Sequence, residues 1–171
     1  MGVAVGAAAM LLSFLQPPFT QVMAAEDLVN TGYFGDVAIK GYDPVAYFTE
    51  NQAIEGSETY SYHWLGATWY FASARNRDLF KGDPSRYAPQ YGAFCGYAVS
   101  IGKLRPVDPT IYQIENGRLI LQHTQEAYDL FNKNLKTSIE RADKNWPGIV
   151  ANHIGKPVKY DEKAKATASS N

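Results

Sequence analysis

Cysteine is nearly missing from this chain: Cys95 is the only one in 171 residues. An internal disulfide is therefore impossible, and with no CxxC the thioredoxin-type redox motif and the paired-thiolate metal knuckle are excluded. No GxSxG, HExxH or glycine-rich phosphate loop occurs, so the common hydrolase, metalloprotease and nucleotide-binding signatures are absent as well. Neither sign of charge is in excess. Sixteen basic residues face 17 acidic ones, for a formal net charge of −1, which gives no long-range field toward nucleic acid or anionic membrane. A nucleic-acid partner is not expected. What the chain does have is aromatic bulk, with 12 Tyr, 8 Phe and 3 Trp. That composition suits a packed domain and argues against disorder.

The opening stretch, MGVAVGAAAMLLSFLQPPFTQVMAA, stands apart from the rest. Val3 to Leu15 are almost all apolar, Pro17 and Pro18 break any helix, and Met23-Ala24-Ala25 supplies small residues before Glu26 and Asp27. This is the pattern of a secretory signal peptide cleaved around Met23 to Ala25. The run is shorter than the roughly 20 apolar residues a membrane helix needs, so no stable span is expected in the mature form. No Lys or Arg precedes the run, which leaves two alternatives, a start lying inside a longer signal or a buried core helix. The expected organisation is a signal peptide over 1–25, a domain over 26–150 and a flexible polar tail over 151–171, in a periplasmic or secreted protein.

Within the domain, Val37-Ala38-Ile39 reads as a short strand ended by Gly41, and GYDPVAYF as a turn with a short packed segment. Residues 59 to 72, TYSYHWLGATWYFA, read as a hairpin about Leu65-Gly66-Ala67. Ser73 is a natural N-cap for a helix over Ala74 to Lys81, stopped by Gly82-Asp83-Pro84. A second hairpin is clearer, because Asn116-Gly117 joins TIYQIE to RLILQH, and Asn-Gly suits the tight turn that antiparallel strands prefer. Ala127, Leu130, Phe131, Leu135 and Ile139 then recur at helical spacing, predicting one helix from Thr124 to about Asn145, ended by Pro147-Gly148. Strands and helices alternate irregularly. The expected fold is therefore α+β, a small single domain with two β-hairpins packed against a C-terminal helix and a short helix.

Several of these segments, in this order, resemble the YHS domain: GYDPVAYF, the WYFAS strand, the helix bearing Leu79-Phe80, and Asp83-Pro84 through Arg86-Tyr87. The further runs YAPQYGAFCGYAVSIGK, DPTIYQIENGRLIL and ADKNWP are similar to the longer bacterial YHS-domain (seleno)protein family, so that the resemblance covers Val37 to Pro147. It implies a YHS-type fold, export, and a link to metals, copper above all. It also implies where this chain departs. The thiol positions of metal-transport YHS modules fall here on Ala46, Ala72 and Asn76, which cannot build a thiolate site. Selenocysteine in some family members raises the expectation of a reactive Cys95.

Three readings of Cys95 follow. It is a metal ligand paired with His123, a thiolate nucleophile or redox group with a pKa lowered by a neighbour such as Lys103 or Arg105, or a small buried hydrophobe among Tyr91, Phe94 and Tyr97. His123, between the second hairpin and the Thr124 helix, is the candidate co-ligand or base. His63 alternates with Tyr62 and Trp64 and is expected to face solvent, and His153 to lie solvated near the tail. Asp43, Asp83 and Asp108 each precede proline and read as turn residues. The expected function is an exported module that binds a metal ion, copper being the candidate, or a small molecule. The alternatives are a single-cysteine thiol redox enzyme acting through Cys95, or a structural or interaction domain.

Overall fold

Asn116 and Gly117 both hold positive φ, 51° and 76°, the turn that matches the twist of two antiparallel strands. They join β3 (Asp108–Glu115) to β4 (Arg118–Gln122). Leu65 and Gly66 (φ 49° and 69°) do the same between β1 (Ser57–Trp64) and β2 (Ala67–Phe71). These two hairpins form separate two-stranded sheets in the computed structural model, which describes residues 28–32 and 35–153. The predicted signal peptide and the end of the predicted tail lie outside the described residues. No helix among the described residues is long and apolar enough to cross a membrane.

A two-stranded hairpin is at best marginal alone, and here each is packed against helices. In chain order these are α1 (Ala46–Thr49), α2 (Ala74–Gly82), α3 (Pro84–Tyr87), α4 (Gly96–Ser100), α5 (Gln125–Asn132) and α6 (Leu135–His153). The α+β architecture expected from the sequence is thus the one observed. Ser73 caps α2 by accepting from the Asn76 N–H, and Thr124 caps α5 by accepting from Ala127. Asp83 serves α3 in the same way through Arg86 N–H, with Pro84 at the first helical position.

The interior has two clusters. Tyr47, Trp69, Phe71, Phe80, Cys95, Leu119 and Leu121 lie in the first, Tyr91, Phe94, Val99, Ile120, Phe131 and Ile149 in the second. Strand β4 divides them, because alternate side chains leave opposite faces: Leu119 and Leu121 enter one core and Ile120 the other. The stretch YGAFCGYA runs along the same seam, sending Ala93, Cys95 and Ala98 to the first core and Tyr91 and Phe94 to the second.

Three local expectations are corrected. Val37 makes only an isolated bridge to Thr68, after which Ala38–Gly41 form a 3-10 turn with Ile39 and Lys40 left-handed at φ 50° and 53°. Burial of Ala38 and Ile39, not strand pairing, explains that apolar run. The long helical pattern is two helices, separated where Asn134 accepts from Thr137 N–H and starts α6. Finally, Pro147 sits inside α6, which continues to His153. An internal proline costs about 3 kcal/mol; burial of Ile149 and Val150 in the second core offsets that cost.

Candidate functional site

Cys95 is the N-cap residue of α4, placed there by its N–H bond to the Arg105 carbonyl at 3.1 Å. It is 1% exposed. Its Sγ–H donates to Oε1 of Gln122 at 3.2 Å, and the Tyr97 N–H donates to the same oxygen at 3.0 Å. Gln122, fully buried at the end of β4, therefore joins the second hairpin to the start of α4. Its Nε2 has no hydrogen-bond partner among the described residues. The fit around it is close: a Cβ on Gly96 would stand 2.7 Å from Ile120 Cγ2 and 3.3 Å from Gln122 Nε2.

Burial pushes the Cys95 thiol up. Hydrogen bonds from the Ala98, His123 and Tyr97 backbone and the Arg105 charge act the other way without prevailing. A thiol raised in the folded state stays protonated through neutral pH, and the thiolate is the nucleophile. In the native protein, alkylation of Cys95 by iodoacetamide at pH 7.5 is accordingly expected to be at least ~100-fold slower than in urea. Equal rates in the two states would restore the redox reading.

His123 follows β4 and is half-buried. Burial lowers its pKa, aided by the Arg105 and Lys40 charges, against a hydrogen bond to the Pro106 carbonyl and the Asp108 carboxylate. Its backbone approaches the Cys95 thiol, but no group of three His, Cys, Asp or Glu able to hold a metal ion occurs among the described residues. Lys103 is exposed. Exposed His63 lies on the outer face of β1, its Nδ1 3.5 Å from Thr68 Oγ1, and His153 meets the Ile149 carbonyl at 2.8 Å. Asp108 closes a local turn onto Thr110, as expected. Asp43 does more than turn the chain: it is fully buried and ties α1, β2 and α2 together.

A second place carries no sign in the sequence. A cleft of about 150 Å³ opens between the first hairpin, the 3-10 turn Gln90–Ala93 and α6. Trp64, Trp69, Tyr91 and Trp146 all line it, so the chain's three tryptophans converge on one recess. None of its lining residues carries a formal charge. The rings meet in pairs, Trp64 with Trp69 at 5.9 Å and Tyr91 with Trp146 at 6.0 Å between centroids. Phe80 backs the first pair, 5.5 Å from Trp64 and 5.2 Å from Trp69. Tyr91 is held by its hydroxyl, which donates to Asp143 at 2.9 Å and accepts from Arg118 at 3.2 Å, while Arg118 and Asp143 pair with each other. Trp69 spends its indole N–H on the Trp64 carbonyl at 3.0 Å. Hydrogen bonds thus fix two of the four rings that line the recess, Tyr91 and Trp69. The available signal was spacing-blind: Trp64 and Trp146 are far apart in sequence, and only tertiary packing brings them together.

No protein-family model matches this chain, and neither the curated proteins nor the solved structures yield a match to it.

Proposed function

We propose that this chain is a binding module for a small organic molecule, held in the aromatic cleft. The observation that carries the reading is the gathering of all three tryptophans and Tyr91 on one uncharged recess. Small-ligand sites are concave and mostly apolar, with aromatic walls and few polar groups. At about 150 Å³ the cleft suits a fragment-sized group or one end of a longer ligand. The thiol site serves a different purpose under this reading. Cys95 and Gln122 fix α4 and the chain leading to Tyr91 and Gly92, and so hold one side of the cleft in place.

A panel of small cations, neutral compounds and carboxylates, screened by thermal unfolding, tests the proposal. A member that binds is expected to stabilise the protein by about 1.4 kcal/mol at tenfold excess over its Kd. That gain should vanish in Trp146→Ala and persist in Cys95→Ser. A gain lost in Cys95→Ser and kept in Trp146→Ala would overturn it.

Copper bound by Cys95 and His123 is a separate proposal, supported by the resemblance to YHS-domain proteins and by a His123 imidazole kept neutral, the ligating form. The buried thiol, with its pKa raised, and the lack of a group of three His, Cys, Asp or Glu among the described residues count against such a site in this conformation. Copper titration decides it, since unchanged affinity in Cys95→Ser and His123→Ala would end the idea. Export likewise remains a proposal, supported by the apolar run and Met23-Ala24-Ala25. N-terminal sequencing of the protein recovered from its host tests it, a start at Met1 being the contrary result.

A further inference from the structure

We infer that the cleft recognises an organic cation, a ligand carrying a tertiary or quaternary ammonium group; this rests on the small-ligand reading above and names its chemistry. No Lys or Arg lines the recess, so a phosphate or carboxylate finds no counter-charge there, and no His, Cys, Asp or Glu lines it to hold a metal ion. Two classes remain, a neutral group, which Ser85 and Gln90 could hydrogen-bond, and a soft organic cation.

The ring faces favour the cation. The face of an aromatic ring is its negative side, indole more so than phenol or benzene, and cations bind within about 6 Å of the centroid. Here three indoles and one phenol share the lining; Trp69 and Tyr91 are buried, and Trp64 and Trp146 keep the accessible ring surface that a cation would meet. The Trp69 indole N–H, which would repel a cation, is already engaged with the Trp64 carbonyl. The protein itself supplies a precedent at this wall, since the Arg118 guanidinium stands over the Tyr91 ring at 5.8 Å. Asp143 pairs with that guanidinium and so offsets its charge near the recess. The only polar side chains on the lining besides the ring N–H and O–H groups are Ser85 and Gln90, too few to replace the water shell of a strongly hydrated cation such as Lys ammonium or sodium. An alkylated ammonium is weakly hydrated, and its methyl groups suit the same apolar walls.

The experiment is a titration followed by intrinsic tryptophan fluorescence, because every tryptophan reports on this recess. The probes are choline, tetramethylammonium and the neutral choline isostere 3,3-dimethylbutan-1-ol, at constant ionic strength. The two cations are expected to saturate the signal, with the neutral alcohol about tenfold weaker. Trp64→Leu and Trp146→Leu keep apolar bulk while removing a ring, so they should weaken the cations about fivefold or more and leave the alcohol nearly unchanged. Each variant is first shown by circular dichroism to be folded, and Trp146→Phe should restore part of the cation affinity. Equal binding of alcohol and cations would overturn the cation inference while the small-ligand reading survives. Saturation by neither would overturn the cation inference, and if the wider panel also fails the small-ligand reading falls with it.

Discussion

Asp43→Ala is expected to lower the unfolding free energy by about 3–5 kcal/mol, a large part of the ~5–15 kcal/mol typical of a domain. The carboxylate is fully buried, and both of its oxygens are used twice. Oδ1 accepts from Val45 N–H at 2.8 Å and Ala46 N–H at 3.3 Å; Oδ2 accepts from Ala72 N–H at 2.9 Å and Asn76 Nδ2 at 2.7 Å. Alanine strands three backbone donors and one amide in a region with little water to replace the lost acceptor, and each orphaned donor costs about 1–3 kcal/mol. Relaxation of α1 and the start of α2 recovers some of this, hence the lower total. Asp43→Asn keeps one accepting oxygen but turns an NH₂ toward two donors, and should cost roughly half as much. Urea unfolding followed by circular dichroism measures both. A loss under about 1 kcal/mol for alanine would mean that these bonds do not organise the fold.

Gly92→Ala is the second large effect, and it links stability to the cleft. Gly92 has φ +57°, and a Cβ there would stand 1.8 Å from the Leu28 carbonyl oxygen. That oxygen is backbone and cannot swing aside as a side chain does. The same Cβ would come within 3.2 Å of Trp146 Cη2. The segment around Leu28 must therefore leave, breaking the bonds from Asn30 N–H to the Gly92 carbonyl at 2.7 Å and from Asn30 Nδ2 to the Ala93 carbonyl at 2.9 Å. With the left-handed backbone strain added, a loss of about 2–4 kcal/mol is expected. Val29, Gly92 and Trp146 line the cleft, so ligand affinity should fall in parallel. Gly148→Ala is the control: nothing lies within 4 Å of its Cβ, its φ is not left-handed, and in α6 alanine should be neutral or stabilising by up to ~1 kcal/mol. Equal effects at the two positions would contradict the packing described for Gly92.

The contrast between these residues marks what the sequence could reveal. Asn116-Gly117, Leu65-Gly66 and Ser73 act through neighbours a few positions away, so turn chemistry and capping were legible. The outward face of β1, with His63 exposed between half-buried Tyr62 and Trp64, follows from strand alternation alone. Asp43 reads as a turn residue from the proline after it, and its bonds to Val45 and Ala46 make that turn, whereas those to Ala72 and Asn76 depend on how α2 returns. Pro147 misled for a similar reason, because the buried residues that keep α6 intact lie beyond it. Gln122 offered no local sign at all: a polar residue ending RLILQH looks like a strand edge, yet it receives the Cys95 thiol from a segment 27 positions earlier. The aromatic bulk packs a domain, with Trp69 buried and Tyr60, Tyr62, Trp64 and Tyr112 half-buried against the core, and the meeting of the three tryptophans at one cleft appears only in three dimensions.

The central claim is that ligands enter the aromatic cleft and not the thiol site, and the most direct measurement is where a bound molecule perturbs the protein. Amide and indole N–H resonances of the ¹⁵N-labelled chain, followed during titration with the most stabilising member of the small-molecule panel, give that position. The account predicts the largest shifts at the indoles of Trp64, Trp69 and Trp146 and at the Gly92 amide, with Cys95, Gln122 and His123 nearly unmoved. Shifts centred on Cys95, Gln122 and His123, with the three indoles unchanged, would contradict it.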